Sequence, residues 1–182
     1  LGADELEGIL REQGSCHMTC QFCDAVYDFD RQQLEQSQAT SLLGDNAAFS
    51  GQILLVEDNE LNMEIAIEFF GICGASVEKA WNGSEAVELV KARPDGYYAS
   101  IFMDIQMPIM DGYEATRQIR QLEQQQGRKH TPIVAMSANA FNEDVSKAYL
   151  AGMDEYITKP VSLQEIKKVL QSIKEKEQQP EA

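Results

Sequence analysis

The 182-residue sequence predicts an α/β protein: a five-stranded parallel sheet with helices on both faces, preceded by a small α+β segment that contains cysteines. Three observations lead there. Strand-like and helix-like patterns alternate five times after residue 50. Of the strand segments, Ile53–Val56 is a continuous apolar run, as expected of a strand buried on both faces, and Ala99–Met103 is again largely apolar. Three cysteines (Cys16, Cys20, Cys23) fall within eight residues near the start, in a stretch of different composition.

The elements follow in order. After Ile53–Val56, a helix over Asn59–Phe70 places Leu61, Ile65 and Phe69 on one face. Ser76–Ala80 is a short, half-polar strand. Ser84 is expected to cap a helix through Lys91 that buries Ala86, Val87 and Val90. Ala99–Met103 is the third strand and Tyr113–Gln125 the helix after it. Thr131–Met136 is the fourth strand, with Pro132 where a missing N–H is tolerable. Asn142 opens a helix that Gly152 ends. Glu155–Thr158 is the fifth strand, and Ser162 caps a last helix over Leu163–Lys174. Right-handed crossovers between parallel strands favour the flavodoxin-like order 2-1-3-4-5.

The expected divisions are a cysteine-containing segment at 1–38, a polar linker at 39–50, the α/β domain at 51–174 and a frayed Glu/Gln/Lys-rich tail at 175–182. The net charge is −15, with 30 acidic and 15 basic residues, and the excess is shared by both parts. Such a surface argues against nucleic acid and against anionic membrane as partners. No apolar run reaches the ~20 residues that span a bilayer. The chain opens on Leu1 without a basic-then-apolar leader, so it reads as a cytoplasmic piece of a longer protein.

In open parallel sheets the site lies at the carboxyl ends of the strands. Four strands end in reactive side chains: Glu57-Asp58 after the first, Asp104 after the third, Ser137 after the fourth, Lys159-Pro160 after the fifth. Crowded carboxylates are stable as anions only with a cation between them. All-oxygen ligands select a hard ion, Mg²⁺ or Mn²⁺. Such an ion lets an anionic carboxylate meet a phosphorylated donor. Asp104 is then the nucleophile and forms an acyl phosphate, with Lys159 and Ser137 on the phosphoryl oxygens. Singly, each has a bland alternative: a helix cap, a turn serine, a surface lysine, or, for Tyr156, half-buried core. A flavin binder would need a Ser/Thr/Gly-rich loop where Glu57-Asp58-Asn59 stands. A haloacid-dehalogenase phosphatase would need an acid where Gln106 stands.

The stretches VEDNELNMEIA (56–66), MDIQMPIMDGYEATRQIR (103–120) and MSANA…DEYITKP (136–160) resemble the CheY-like receiver domains of two-component signalling, especially those of hybrid histidine kinases. The resemblance implies Asp104 as phosphoacceptor. It implies Glu57 and Asp58 as the acidic pair, Asp58 ahead of Glu57 as direct ligand, with the backbone carbonyl of Gln106 completing the magnesium shell. It implies Ser137 and Tyr156 as switch residues, Lys159 on the phosphate and a cis Lys159–Pro160 bond. The donor would be a histidine kinase or a histidine phosphotransfer protein, and output would pass through a protein partner at the 142–174 face. The domain would promote its own phosphorylation and dephosphorylation without being a separate enzyme. The alternatives are a relay intermediate of a hybrid kinase, and a redox-responsive zinc protein regulated by a receiver.

Residues 1–38, with CHMTCQFCDAVYDFD, resemble the C-terminal redox-switch domain of oxidation-activated heat-shock chaperones. Cys20 and Cys23 match half of that family's four-cysteine zinc site. Cys16 and His17 are further ligand types nearby. The reading is a helix (3–13), a tight cysteine turn, a strand (26–29) and a second helix (31–38). The spacing Cys16-x₃-Cys20-x₂-Cys23 also matches the iron–sulfur loop of radical enzymes, without the barrel that loop requires.

Overall fold

The computed structural model describes residues 15–19, 26–30, 49, 51–138 and 142–177. The chain divides into two compact units, 1–47 and 48–182. The expected helices at 3–13 and 31–38, Cys20, Cys23 and most of the linker lie outside the described residues.

In the first unit, β1 (Ser15–Thr19) pairs antiparallel with β2 (Val26–Asp30), Cys16 opposite Phe29 and His17 opposite Asp28. The tight cysteine turn thus gives way, from residue 15 to 19, to a strand. Its backbone groups find partners on β2, which a turn over the same residues would leave to solvent.

The second unit carries β3 (Gln52–Val56), α1 (Glu60–Ile72), β4 (Ser76–Ala80), α2 (Gly83–Ala92) and β5 (Tyr98–Asp104). It continues with α3 (Gly112–Gln126), β6 (Ile133–Ser137), α4 (Asn142–Ala151), β7 (Glu155–Thr158) and α5 (Leu163–Glu177). The five strands are parallel in the order β4-β3-β5-β6-β7, the expected 2-1-3-4-5. The central strands are covered on both faces. Leu54, Val56, Ile101, Met103, Ile133 and Ala135 pack with α2, α3 and α4. Ile53, Leu55, Phe102, Val134 and Met136 pack with α1 and α5. Alternation along each strand sends neighbours to opposite layers, which is why these segments read as unbroken apolar runs.

Three local expectations change. On α1 the buried row is Met63, Ala66 and Phe70, with Phe70 edge-on to Phe102 at 4.7 Å, while Leu61 and Ile65 are 65% and 43% exposed. This helix carries apolar side chains on two faces, and the sheet takes the one that presents Phe70. The cap of α2 is Asn82, not Ser84: Asn82 Oδ1 accepts from Glu85 N at 3.0 Å, and Glu85 returns a carboxylate oxygen to Trp81 N at 2.9 Å. That reciprocal arrangement satisfies two orphan donors at once. Helix α5 runs a turn past Lys174, where Lys176 pairs with Glu155 at 2.9 Å and its charge suits the helix end.

At the edge away from the strand carboxyl ends, Arg120 ties three elements together. It donates to Gly152 O (2.9 Å) and Thr131 O (2.8 Å) and pairs with Glu123 (2.7 Å) and Asp154 (2.8 Å). Gly152, at φ +101°, leaves the room: a Cβ there would sit 3.0 Å from Arg120 Cγ. Glu123 is 5% exposed, so losing its cation strands a buried carboxylate. Arg120→Ala is expected to lower stability by about 3–5 kcal/mol, read from urea unfolding. An effect as small as that of the exposed Arg117 pair would show that the lock carries no load.

Candidate functional site

Glu57 and Asp58 follow β3 directly, Asp104 and Ser137 are the last residues of β5 and β6, and Lys159 follows β7. The residues expected beyond the third and fourth strands are thus the strands' own ends. Register makes them neighbours: Asp104 lies opposite Met136, and Ser137 opposite Thr158. Three backbone bonds close the edge: Glu57 N to Ala80 O (3.1 Å), Ile105 N to Met136 O (3.1 Å) and Lys159 N to Ser137 O (2.7 Å). The Lys159–Pro160 bond is cis. Gly112 seats α3 against β5, since a Cβ there would meet Asp104 O at 2.3 Å.

At the centre, Lys159 Nζ lies 2.5 Å from Glu57 Oε2 and 2.7 Å from Asp104 Oδ2. Asp104 Oδ1 accepts from Gln106 N at 3.1 Å. Glu57 and Asp104 are buried, while Asp58 stands exposed at the mouth. Burial pushes the Asp104 carboxyl above the ordinary range, with Glu57 adding to the rise and Lys159 opposing it. Burial disfavours the Lys159 ammonium, but its bonds to Asp104 and Glu57 outweigh that and hold its pKa above the usual value. Both shifts run upward: the Lys159 ammonium gains from two carboxylates, while Asp104 shares its one ammonium and does not recover the cost of its burial.

Among the described residues, Glu57, Asp58 and Asp104 form the one group of His, Cys, Asp or Glu whose ligand atoms all lie within 4.8 Å of one another. Three carboxylates against one ammonium leave an anionic pocket whose donors are all hard oxygens. That donor set fits Mg²⁺ or Mn²⁺ rather than a soft metal. A cavity of about 360 Å³ opens beside it, lined by Asp58, Gln106, Ser137, Asp111, Tyr113 and Asp144 among others. Ser137 is buried in its wall. Tyr156 lies within β7, packed against the core layer beneath α3 and α4. Met103 is core, and Met107 and Met110 pack on that layer. Ile109, in the loop after Asp104, takes φ 70° and is 85% exposed, a strained placement for a β-branched residue. Cys16 and His17 lie on β1, and the zinc expectation at Cys20 and Cys23 lies outside the described residues.

Asn62 was not singled out from sequence, yet its Nδ2 donates to Glu57 Oε1 at 3.0 Å. Its signal was positional: it sits one helical turn beyond the acidic pair. Asp111, Tyr113 and Asp144 are equally new; Tyr113 OH donates to Asp144 O at 3.3 Å across the cavity wall.

The raised Asp104 pKa has a stability consequence. An acid whose folded pKa is raised favours folding below its unfolded value and loses that contribution as pH rises through the folded pKa. Above the unfolded pKa the Asp104 carboxyl therefore costs stability, and at neutral pH Asp104→Asn is expected to melt a few degrees higher than wild type without divalent metal. Adding Mg²⁺ raises the wild-type melting temperature and moves the variant much less. Equal melting curves with and without metal in both proteins would contradict the cluster's reading.

Comparison with known proteins places this geometry. A family model for the response regulator receiver domain matches residues 53–171. A model for Hsp33 protein matches residues 1–30, the segment that resembles the redox-switch chaperones. The chain is 33% identical over 148 residues to hybrid signal transduction histidine kinase L of Dictyostelium discoideum, covering 81% of this chain and 8% of that kinase. A solved structure of the Saccharomyces cerevisiae phosphotransfer protein Ypd1 with the receiver domain of its downstream regulator Ssk1 matches at 36% identity and TM-score 0.64, over 69% of this chain and 89% of that one. The receiver domain of sensor kinase PA1611 of Pseudomonas aeruginosa, with magnesium in its active-site cleft, matches at 35% identity and TM-score 0.60, over 68% and 96%. Sheet order, site geometry and matched length agree, and the chain belongs to the response regulator receiver domain family.

Proposed function

We propose that residues 51–174 accept a phosphoryl group on Asp104 from a phosphohistidine donor with Mg²⁺, and that the phosphorylated form presents a changed protein-binding face at 142–174. The observation that carries this is the Lys159 ammonium shared between Glu57 and Asp104 at 2.5 and 2.7 Å, beside an exposed Asp58. In the transfer, an Asp104 carboxylate oxygen bonds to phosphorus, the donor's N–P bond breaks, and the imidazole leaves and takes a proton. Asp58, Glu57, Asp104 and the Gln106 carbonyl would hold the ion, which supplies positive charge to the phosphoryl oxygens. Lys159 turns from Glu57 and Asp104 toward the new phosphoryl group, and Ser137 donates to it. Tyr156 follows Ser137 inward, which remodels α4, β7 and α5.

Magnesium in the PA1611 receiver supports the ion, and the Ypd1–Ssk1 complex supports a histidine phosphotransfer protein or histidine kinase as donor. The same complex, with the likeness to a hybrid kinase, also fits a relay intermediate that passes the group on to a histidine. The domain acts on itself rather than as a separate enzyme. We place it in the cytoplasm, where phosphohistidine donors are charged from ATP; no helix among the described residues is long and apolar enough to cross a membrane. A second reading draws on the Hsp33 match: residues 1–38, joined through 39–50, form a redox-responsive zinc segment that the receiver regulates. Zinc content with and without Cys20→Ser tests it.

With a small acyl-phosphate donor and Mg²⁺, intact-protein mass is expected to rise by one phosphoryl group. The gain disappears with Asp104→Asn or with chelator, and Lys159→Ala slows it at least ~10²-fold, as for loss of one charge-stabilising donor. Equal gain by wild type and Asp104→Asn would overturn the assignment.

A further inference from the structure

We propose that Asn62 is a positioning residue: its side-chain amide holds Glu57, and thereby sets how tightly the three carboxylates take a divalent cation. The inference rests on the proposed function. Glu57 is 3% exposed, and its two oxygens have different partners. Oε2 faces Lys159 Nζ at 2.5 Å. Oε1 faces Asn62 Nδ2 at 3.0 Å and Asn59 N at 3.4 Å, the latter long for a hydrogen bond. A carboxylate only accepts, so the Asn62 amide must present its NH₂ to Glu57.

The backbone of Asn62 is fixed by a separate bond, since its N–H donates to Asn59 Oδ1 at 3.1 Å in the cap of α1. The side chain is therefore free for Glu57 without being needed to start the helix. Before phosphoryl transfer, Lys159 and Asn62 grip Glu57 from both oxygens. When Lys159 turns toward the phosphoryl group, Asn62 becomes the side chain among these partners that still orients Glu57. A hard ion of Mg²⁺ size tolerates little departure from octahedral geometry, so a carboxylate that swings free binds it less well. Groups that orient a ligand from behind commonly contribute 10–100-fold to metal affinity. A purely structural Asn62 would behave otherwise: alanine is the better helix former, and its substitution would leave metal affinity unchanged.

The test uses the full chain and MgCl₂ in calorimetric titration, with melting curves and acyl-phosphate labelling at several Mg²⁺ concentrations. Asn62→Ala is expected to weaken Mg²⁺ binding roughly ten-fold. Its melting temperature without metal stays near wild type, and the Mg²⁺ concentration for half-maximal labelling rises more than the plateau rate falls. Asn62→Gln keeps an amide donor and recovers part of the affinity. Wild-type affinity in Asn62→Ala overturns the proposal, as does weakened binding that tracks a loss of folded helix in both variants. Absence of Mg²⁺ binding by wild type itself overturns the proposed function too, which separates that failure from this one.

Discussion

One lysine ammonium stands between two buried carboxylates, with a third at the mouth, and much of the receiver unit is arranged around that crowding. Lys159, at 2.5 Å from Glu57 and 2.7 Å from Asp104, stands between two buried acidic side chains that would otherwise face each other without a cation. The arrangement is under-neutralised by design: three carboxylates share one cation. Burial still drives the Asp104 pKa upward despite its partner. On the proposed reading, a site that remains short of positive charge attracts a divalent cation and, through it, a phosphoryl donor. The stability spent at this edge is recovered elsewhere, in the two apolar layers and in the Arg120 lock at the opposite edge.

The sheet makes the crowding possible. Parallel register brings the ends of β3, β5, β6 and β7 to one edge, so residues as distant in sequence as Glu57 and Lys159 meet there. Gly112 lets α3 close on the Asp104 carbonyl, and the backbone bond from Lys159 to Ser137 O fixes the lysine's starting point. On the proposed reading, the same connections carry the output: Ser137 and Lys159 are joined through their backbones, and Tyr156 lies on the strand between α4 and α5.

The strands were legible because burial on both faces leaves unbroken apolar runs, as at Ile53–Val56 and Ile101–Met103. The residues at their ends were legible because a parallel sheet gathers its strand ends; Glu57, Asp58, Asp104, Ser137 and Lys159 are found at that edge. The face of α1 was not legible. Leu61 and Ile65 repeat at helical spacing as well as Met63, Ala66 and Phe70 do, and only the partner Phe102 decides between the rows. The cap of α2 escaped for a similar reason, since Asn82, Ser84 and Glu85 offer competing caps and the reciprocal bond selects Asn82. Asn62 escaped because its role depends on a helical turn returning it to a carboxylate five residues earlier.

The most direct measurement of the central claim is the chemical position of the phosphoryl group. After labelling with a phosphodonor and Mg²⁺, borohydride reduction converts an aspartyl phosphate to homoserine, which peptide sequencing by mass spectrometry locates. The account predicts homoserine at position 104 and at no other aspartate. Label on Ser137, on Asp58, or spread over several acidic residues would contradict it.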